Sequence, residues 1–269
     1  MVELKNLNFG YSADKKVFEN LSYRFSSGKI HIIAGKSGSG KTTLLDLIFG
    51  FLKPAAGSIY VGNKPVTGVL SGWAAYLVAD PERYFFEPHV IDEVAFTLRF
   101  AGLKKEDARK KAAGVLSELG IDENFYWRNP LQLSKGQKRK VAVASALVLE
   151  KELLLLDEPL AGLDRSGRMM VADLLKKAVN AGCTVILTAH TFDELLELGP
   201  EVHLIFNRKL VLANLDLPDK SLVLFQEAGL LPPEKLLVAA ELCKRGFHIS
   251  VFQSDAEFVR KATEMMTER

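Results

Sequence analysis

Cysteine is scarce in this chain: its 269 residues include only Cys183 and Cys243. The two stand far apart and lack the short spacing of a zinc or redox motif, which excludes a disulfide framework and a cysteine metal centre. We expect two reduced, partly buried thiols, as in cytosolic proteins. The sequence also lacks any excess of glycine or proline, with 20 and 10 residues, so collagen-like and low-complexity chains are excluded.

Long hydrophobic runs are missing as well. The longest clean ones, 141–149 and 153–156, fall far short of the roughly 18 to 20 residues that cross a bilayer, so we expect no membrane span. Residues 1–5 lack the basic start and apolar core of a signal peptide, so we expect no export. Lys and Arg total 35 against 33 Asp and Glu, a net charge of +2. This near balance argues against a dedicated nucleic-acid binder.

What is present is ample apolar material, 48% of the residues, enough for the core of one or two domains at about 150 residues each. Periodicity predicts strands over 2–7, 21–25, 30–34, 58–61, 76–78, 153–156, 184–187, 202–206 and 248–252. It predicts helices over 43–49, 167–181, 192–198, 232–244 and 255–266, several more between 90 and 149, and a linker over 214–218. Continuous apolar strands that alternate with helices indicate an α/β fold with a parallel sheet buried on both faces.

A glycine-rich segment lies between a predicted strand and a predicted helix. It fits the pattern G-x-x-x-x-G-K-[ST] and reads Gly35, Lys36, Ser37, Gly38, Ser39, Gly40, Lys41, Thr42. Glycines let backbone N–H groups turn inward around phosphate oxygens, and the helix that follows directs its positive dipole end at the same anion. Lys41 is suited to the terminal phosphates and the Thr42 hydroxyl to Mg²⁺. The segment therefore predicts a nucleotide phosphate site.

Two adjacent carboxylates follow a buried strand. Four leucines, 153–156, precede Asp157 and Glu158. Buried charges need a metal, a partner or water nearby. Asp157 is the candidate for holding Mg²⁺, and Glu158 is the candidate for polarising the attacking water.

At this point the chain resembles the nucleotide-binding domains of ABC ATPases. The segment 133–137, Leu-Ser-Lys-Gly-Gln, is similar to that family's signature sequence and ends 20 residues before Asp157. The segment 160–164 is similar to its D-loop, and 188–190 ends in a residue similar to its switch histidine. The resemblance covers about 1–213. It implies a P-loop NTPase fold of the ABC type, with an N-terminal antiparallel β subdomain, an inserted helical subdomain and a small C-terminal extension.

The resemblance also implies roles for individual residues. Lys41, Glu158 and His190 would be catalytic, Tyr11 would stack on adenine, and ATP and Mg²⁺ would be the cofactors. Thr43 joins residues 35–42 as a nucleotide-binding residue, while Thr42 and Asp157 would hold the metal. The residues that would act on a partner's ATP, or at the D-loop, are Ser134, Lys135, Gly136, Gln137 and Asp164. Taken singly, Tyr11 would be a core or rim aromatic, Ser134 an ordinary helix cap and His190 a structural histidine.

A run of basic residues follows Ser134, namely Lys135, Lys138, Arg139 and Lys140. We interpret this run as a solvated helix face and not as a nucleic-acid site.

Two positions depart from the family pattern. Ala79 stands where the family has a glutamine that touches Mg²⁺ and the attacking water, and neighbouring Asp80 is an unproven substitute. Positioned groups of this kind contribute about 10²- to 10⁴-fold, so we expect slower turnover with binding retained. Lys135 replaces the first glycine of the signature. In a head-to-tail sandwich these two changes fall in different composite sites, which predicts pairing with a related but non-identical ATPase subunit.

Segment 81–96 and the tail are similar to energy-coupling factor (ECF) importer ATPases of the cobalt and vitamin type. That resemblance implies a transmembrane scaffold (T) protein, a substrate-binding membrane protein, no nucleic acid, and a place at the cytoplasmic face of the cell membrane. It divides the chain into a cassette at 1–213, with a helical subdomain at about 83–149, and an extension at 214–269 for ATPase pairing. Tyr84, Phe85 and Phe86 suit apolar docking of a membrane partner's helix as well as they suit a core.

The resemblance therefore implies an ATP-hydrolysing subunit that energises import of a vitamin or metal-type micronutrient. Two alternatives stay open. One is a regulatory, weakly hydrolysing partner in an asymmetric heterodimer, favoured by Ala79. The other is a non-transport ABC ATPase acting on ribosomes or DNA, for which tandem domains or a long heptad insertion would be expected.

Overall fold

The computed structural model describes residues 1–12 and 14–267. Its strands are β1 Val2–Gly10, β2 Lys16–Phe25, β3 Ile30–Gly35, β4 Ala56–Val61, β5 Lys64–Pro65, β6 Ala74–Leu77, β7 Leu153–Leu156, β8 Thr184–Thr188, β9 Glu201–Phe206 and β10 Lys209–Ala213. Its α-helices are α1 Lys41–Phe49, α2 Val90–Phe100, α3 Lys105–Glu118, α4 Lys135–Leu147, α5 Arg165–Asn180, α6 Pro218–Ala228, α7 Glu234–Lys244 and α8 Asp255–Thr267. Short 3₁₀ helices lie at Pro81–Tyr84, Glu123–Phe125, Pro130–Gln132 and Asp193–Leu198.

Two sheets form the framework. The first has four antiparallel strands in the order β2-β1-β4-β5, and the second has six in the order β10-β9-β3-β8-β7-β6. Within the second sheet, β9, β3, β8, β7 and β6 are parallel, and β10 is an antiparallel edge strand. The predicted α/β fold with a parallel sheet is confirmed, and the antiparallel β subdomain implied by the resemblance is present.

Helix α1 lies between the two sheets. Its apolar residues, with Leu44, Leu45 and Ile48 fully buried, share one core with strands of the first sheet and with one face of the second sheet. The other face of the second sheet packs against the remaining helices in a second core. Burial on both faces explains why the parallel strands are almost wholly apolar. Because these strands are parallel, their carboxyl ends lie together along one side of the sheet, called here its open edge.

Helices α2, α3 and α4 form the inserted helical subdomain. They lie in the chain between β6 and β7, which nevertheless pair directly, with Leu77 opposite Leu156. Helix α4 packs on α2, α3 and β6, so this subdomain is fastened to the sheet close to the end of β6.

The chain from residue 192 onward differs from its sequence prediction in three ways. The predicted strand at 248–252 is wrong: the backbone there is irregular, and a turn begins at Val251. The predicted linker is only a turn, because helix α6 begins at Pro218, a residue whose fixed φ suits the first turn of a helix. The helix predicted over 192–198 is a 3₁₀ helix over Asp193–Leu198.

Helix α6 is held by the cassette itself. It packs on β9 and β10, and its Phe225 is fully buried in the same core as the large sheet. Strand β10 runs antiparallel to β9, so Ala213 lies beside the start of β9. The chain turns back there, and α6 runs toward the edge where the carboxyl ends of the parallel strands lie. Its C-cap, Gly229, meets the side chain of Lys36 in the phosphate loop, where a Cβ would lie 2.3 Å from Lys36 Cε. The extension therefore reaches the predicted nucleotide site.

In the described part of the chain, no helix combines the length and the apolar character that crossing a bilayer requires. Cys183 is buried, Cys243 is half-buried, and both are free thiols, as expected. Burial raises the pKa of Cys183 to about 11, which makes it an inert packing residue.

Candidate nucleotide-binding site

The phosphate loop needs glycine at its two ends. A Cβ on Gly35 would lie 2.4 Å from Ser39 Oγ, and one on Gly40 would lie 2.6 Å from Val17 Cγ1. Gly40 also has φ of 105° and caps the N-terminus of α1, a conformation that L side chains rarely adopt. The loop thus closes tightly between β3 and α1, while Ser37 and Gly38 form its exposed turn.

Lys41 lies inside this loop. Its Nζ donates to Gly35 O at 2.8 Å and to Lys36 O at 3.2 Å, and the residue is only 7% exposed. Burial lowers the pKa of Lys41, whereas the charges of Glu158 and Asp157 raise it. The ammonium group is therefore held at the centre of a ring of backbone atoms, where a bound phosphate would meet it.

A buried hydroxyl group in the loop also indicates an anion site. Ser39 Oγ is buried and has no hydrogen-bond partner within the described residues. A buried hydroxyl without a partner is uncommon and calls for an explanation. Together with the first-turn N–H groups of α1, it completes a cradle that fits phosphate oxygens.

Asp157 joins the phosphate loop to the sheet. Thr42 Oγ1 donates to Asp157 Oδ2 at 2.6 Å, and the hydroxyl of Thr188 donates to Asp157 Oδ1. Asp157 is only 1% exposed. Hydroxyl and carboxylate oxygens that converge in this way are the ligands that Mg²⁺ prefers, so these residues fit the ion.

Glu158 is held at the end of β7 in a strained conformation. Its φ of 52° is unusual for a residue with a side chain, and its N–H donates to Thr188 Oγ1 at 2.9 Å. His190 Nε2 lies 3.0 Å from Glu158 Oε1, and both side chains are partly exposed. Strain of this kind is kept where surrounding contacts determine the conformation, and it often marks functional sites. The predicted catalytic pair is therefore in contact.

Tyr11 lies at the rim of the site. Its side chain is 57% exposed, and its hydroxyl is 2.9 Å from Thr43 Oγ1 in the first turn of α1. The ring of Phe9 contacts it edge-on, with centroids 5.2 Å apart. The exposed face of a ring fixed in this way is available for stacking on a base.

The signature residues lie elsewhere. Ser134 caps α4 and forms a capping box with Gln137, and the side chain of Lys135 runs along Gly162 of the predicted D-loop. Asp164 caps α5 by accepting from Gly167 N at 2.8 Å. Across the described ranges 1–12 and 14–267, no hydrogen bond or ion pair joins residues 134–137 to the phosphate loop. Their predicted role toward a partner's ATP stays a prediction.

The basic run after Ser134 is not uniformly solvated, so that interpretation is wrong for one residue. Lys135 is exposed and Lys138 and Lys140 are half-buried, but Arg139 is only 8% exposed. Its Nη2 donates to Ala79 O at 2.7 Å. Position 139 lies on the face of α4 that packs on the end of β6, so the helix takes this arginine inward. On a helical wheel, position 139 lies on the same face as the apolar residues Val143 and Ala146, which identifies that face as the buried one.

Two further residues escaped the sequence reasoning. Tyr76 OH donates to Asp46 Oδ1 at 2.8 Å, which ties β6 to α1 beneath the phosphate loop. Burial raises the pKa of both groups, which keeps the tyrosine protonated as the donor. No local motif marks them, since 30 residues separate the two in the chain.

A second polar cluster lies at the opposite end of the sheet. His31 Nε2 donates to Ser26 O at 2.8 Å, His203 Nε2 lies 3.0 Å from His31 Nδ1, and Tyr23 OH lies 2.8 Å from His203 Nδ1. Because Ser26 O only accepts, two neutral histidines satisfy every one of these bonds. Glu201 completes a group that has metal-ligand chemistry. All four ring nitrogens are already engaged, however, so the cluster is a hydrogen-bonded joint between the two sheets.

Comparisons with known proteins agree with this geometry. The family model described as ABC transporter matches residues 18–161. The energy-coupling factor transporter ATP-binding protein EcfA2 of Mycoplasma pneumoniae is 38% identical over 205 residues, which cover 73% of this chain and 68% of that protein.

Solved structures give the same result. The chain matches the ATP-binding cassette MJ0796, a dimer bound to ADP and Pi after hydrolysis, with a TM-score of 0.70, 26% identity and coverage of 78% of this chain and 96% of that one. It matches cbiO1 of Clostridium perfringens, part of the ABC transporter complex cbiONQ, with a TM-score of 0.66, 28% identity and coverage of 83% and 98%. The chain thus belongs to the ABC transporter family of ATP-binding proteins and is an ATPase.

Proposed function

We propose that this ATPase energises an ECF-type importer, with Lys41, Glu158 and His190 as its catalytic residues. The observation that carries the proposal is the continuous network from Thr42 through Asp157 and Thr188 to Glu158 and His190 at one edge of the sheet. It joins the phosphate loop to the site of water activation, as phosphoryl transfer requires.

Each residue has a separate task in this scheme. Lys41 holds the terminal phosphates as a point charge inside the loop. Glu158 accepts the proton of the attacking water. The Nε2–H of His190, which holds that carboxylate in this structure, donates to the γ-phosphate when ATP is bound. Tyr11 covers the adenine. Thr42 and Asp157 would hold Mg²⁺, which supplies charge neutralisation of the phosphate oxygens.

The signature residues supply the second half of a composite site in a partner subunit. In the described part of the chain no hydrogen bond or ion pair joins them to the phosphate loop, which supports a head-to-tail sandwich in which each nucleotide contacts two subunits. Closure of this two-subunit sandwich requires that ATP bind the closed state more tightly than the open state. Because Ala79 weakens this chain's own site and Lys135 enters the partner's site, the partner is a non-identical ATPase, and the extension at 214–269 contributes to the pairing.

A groove beside β6 suits the membrane partner. Its volume is about 250 Å³, and its walls include Tyr84 and Phe85 near the helical subdomain. Tyr84 and Phe86 are 66% and 62% exposed, while Phe85 packs on the core. Exposed aromatic side chains next to a groove are typical of protein docking sites. A cytoplasmic helix of the scaffold protein would enter here and hold the ATPase at the cytoplasmic face of the membrane.

The similarity to EcfA2 and to cbiO1 supports import of a vitamin or metal-type micronutrient. The solute itself would be selected by the substrate-binding membrane protein. The balanced charge of the chain agrees with docking on protein subunits and with no role in nucleic-acid binding.

Co-purification tests the proposal. The tagged full-length chain should bring down a membrane scaffold, a substrate-binding membrane protein and a second ATPase from detergent-solubilised membranes. The double change Tyr84→Ala and Phe86→Ala should lose the scaffold and keep the second ATPase. Leu212→Ala, at an exposed leucine of the edge strand β10, is the matched control and should lose neither. Retention of the scaffold by the double variant would contradict the docking site, and recovery of ribosomal or DNA-bound partners instead would contradict the transport function.

A weakly hydrolysing regulatory subunit is the second candidate, and Ala79 favours it. In that case the purified pair would keep its full rate when this chain carries Glu158→Gln and would lose it when the partner carries the equivalent change. A chain that alone forms an ATP-dependent homodimer with the full hydrolytic rate would contradict the asymmetric pairing.

A further inference from the structure

Arg139 is an incompletely satisfied charged group near the candidate catalytic residues. It belongs to α4, is 8% exposed, and uses only Nη2 in a hydrogen bond, to Ala79 O at 2.7 Å. Its Nη1 is buried and has no partner within the described residues. Leaving a buried donor unpaired destabilises the fold, and more so for a charged group, so a purely fold-stabilising role does not account for the arrangement.

The position of Ala79 brings this arginine close to Glu158. Asp157 N donates to Leu77 O at 2.8 Å, so the chains that leave β6 and β7 run side by side from this point. Ala79 and Glu158 are each two residues beyond the last pair of the two strands, Leu77 and Leu156. An arginine anchored on the carbonyl of Ala79 therefore stands next to the segment that carries Glu158.

The surrounding charges agree with this placement. Burial lowers the pKa of Arg139, and the carboxylates of Glu158, Glu82, Asp80 and Asp157 oppose that effect, Glu158 most strongly. Glu82 and Asp80 already face the cations of Lys138 and Arg83, at 3.8 and 3.6 Å. A guanidinium remains protonated in proteins, so Arg139 places a fixed positive charge near Glu158.

Alanine at position 79 has no side-chain donor or acceptor, whereas a longer polar side chain there would bring one. With alanine there, only the backbone carbonyl contacts the guanidinium, and Nη1 stays free for a neighbouring carboxylate.

We propose that Arg139 is a positioning residue for ATP hydrolysis: Nη2 fixes it on Ala79 O, and its unpartnered Nη1 binds the Glu158 carboxylate during hydrolysis, whereas in this structure His190 holds that carboxylate. It supplies from the helical subdomain an orienting contact that the side chain at position 79 does not supply. Any movement of α4 relative to the sheet then changes the orientation of Glu158. The inference rests on the proposed role of Glu158.

Steady-state hydrolysis by the full-length chain, assembled with its partner ATPase, tests the inference. Arg139→Met keeps the length of the side chain and removes the charge. We expect kcat to fall about 10- to 100-fold while KM for ATP stays within about twofold, because the contact acts on the reaction and not on binding. Arg139→Lys should recover at least a third of the wild-type kcat. Lys111→Met, at an exposed lysine of the same subdomain, is the matched control and should change neither constant.

A double-mutant cycle separates positioning from a merely structural role. In a Glu158→Gln background, Arg139→Met should lower the remaining rate by less than twofold, because the residue acts through Glu158. An unchanged kcat in Arg139→Met, or an equal fall in both backgrounds, would overturn the inference.

If Arg139→Met does not fold, Arg139→Gln takes its place, since it keeps an amide donor for Ala79 O, and the same two outcomes apply. A Glu158→Gln chain that retains the wild-type rate would instead refute the proposed role of Glu158, so the two failures are distinguishable.

Discussion

His190 Nε2 and Glu158 Oε1 lie 3.0 Å apart, across the open edge of the sheet. Each lies two residues beyond the end of its strand, β8 and β7, which are neighbours in the parallel sheet. The hydroxyl of Thr188 also accepts from Glu158 N. Thr188 therefore fixes the backbone of Glu158 and His190 holds its carboxylate, an arrangement that preorganises the group for activating water.

The pair yields the first prediction. Glu158→Gln should lower kcat about 10²- to 10⁴-fold and leave the affinity for ATP within about threefold, because glutamine keeps the hydrogen bond to His190 but accepts no proton. Hydrolysis and equilibrium binding of a fluorescent ATP analogue measure the two effects. Glu152→Gln, at the other end of the same strand, should behave as the wild type. An unchanged turnover in Glu158→Gln would remove this residue as the base.

The second prediction concerns Tyr11, whose ring and hydroxyl have separable tasks. Tyr11→Ala removes the stacking surface and should weaken ATP binding by about 1–3 kcal/mol. Tyr11→Phe keeps the ring and loses only the bond to Thr43, and it should cost about 1 kcal/mol or less. Isothermal titration of ATP into the chain measures both. Equal, small losses in the two variants would show that the ring does not contact the base.

The third prediction concerns the extension. Phe225 is fully buried against the large sheet, so Phe225→Ala should lower the free energy of unfolding by about 3–5 kcal/mol. Val223→Ala, on the exposed side of the same helix, should change it by about 0.5 kcal/mol or less. Denaturant unfolding followed by far-ultraviolet circular dichroism gives both values. If Phe225→Ala produced a separate early transition and left the main one in place, the extension would be an independent unit.

The fourth prediction concerns the histidine joint between the sheets. Burial lowers the pKa of His203 from 6.5 to about 3, helped by the charge of His31, whose own pKa burial also lowers. Glu201 opposes both shifts, Lys29 opposes protonation of His31, and Tyr23 OH faces His203. The unfolded chain therefore binds more protons than the folded one below pH 6.5, so stability is greatest above that pH and falls as the solution is acidified.

The expected slope is about 1.4 kcal/mol per pH unit for each histidine that stays neutral in the folded chain. Urea unfolding at several pH values from 5 to 8 measures it. His203→Gln keeps two hydrogen-bonding atoms and does not titrate. The slope of its unfolding free energy against pH, below pH 6.5, should therefore be smaller by the contribution of about one proton, which is about 1.4 kcal/mol per pH unit. A slope identical to that of the wild type would show that His203 is not the group responsible.

Local sequence patterns were sufficient for the phosphate loop and for the end of β7. A Cβ at Gly35 or Gly40 would clash with neighbouring side chains, and Gly40 has a positive φ, so the glycines of the motif have local structural reasons. Asp157 and Glu158 follow a wholly apolar strand. Parallel strands with apolar runs bring their carboxyl ends together, so the meeting of Thr42 with Asp157 was predictable in outline. The strand predicted at 248–252 was wrong because Ile249 and Val251 are buried in the core from an irregular segment that pairs with no strand in the described part of the chain.

The sequence by itself determined the fold class, the motifs and the chemistry of this ATPase, because each depends on residues close together in the chain. Only the tertiary structure decided that Arg139 turns inward to Ala79, 60 residues away, and that His31 and His203 join across 172 residues. Such contacts arise from the packing of whole helices and sheets. Burial then changes what a side chain does: it turned an arginine of an ordinary basic run into an unpaired charge near Glu158.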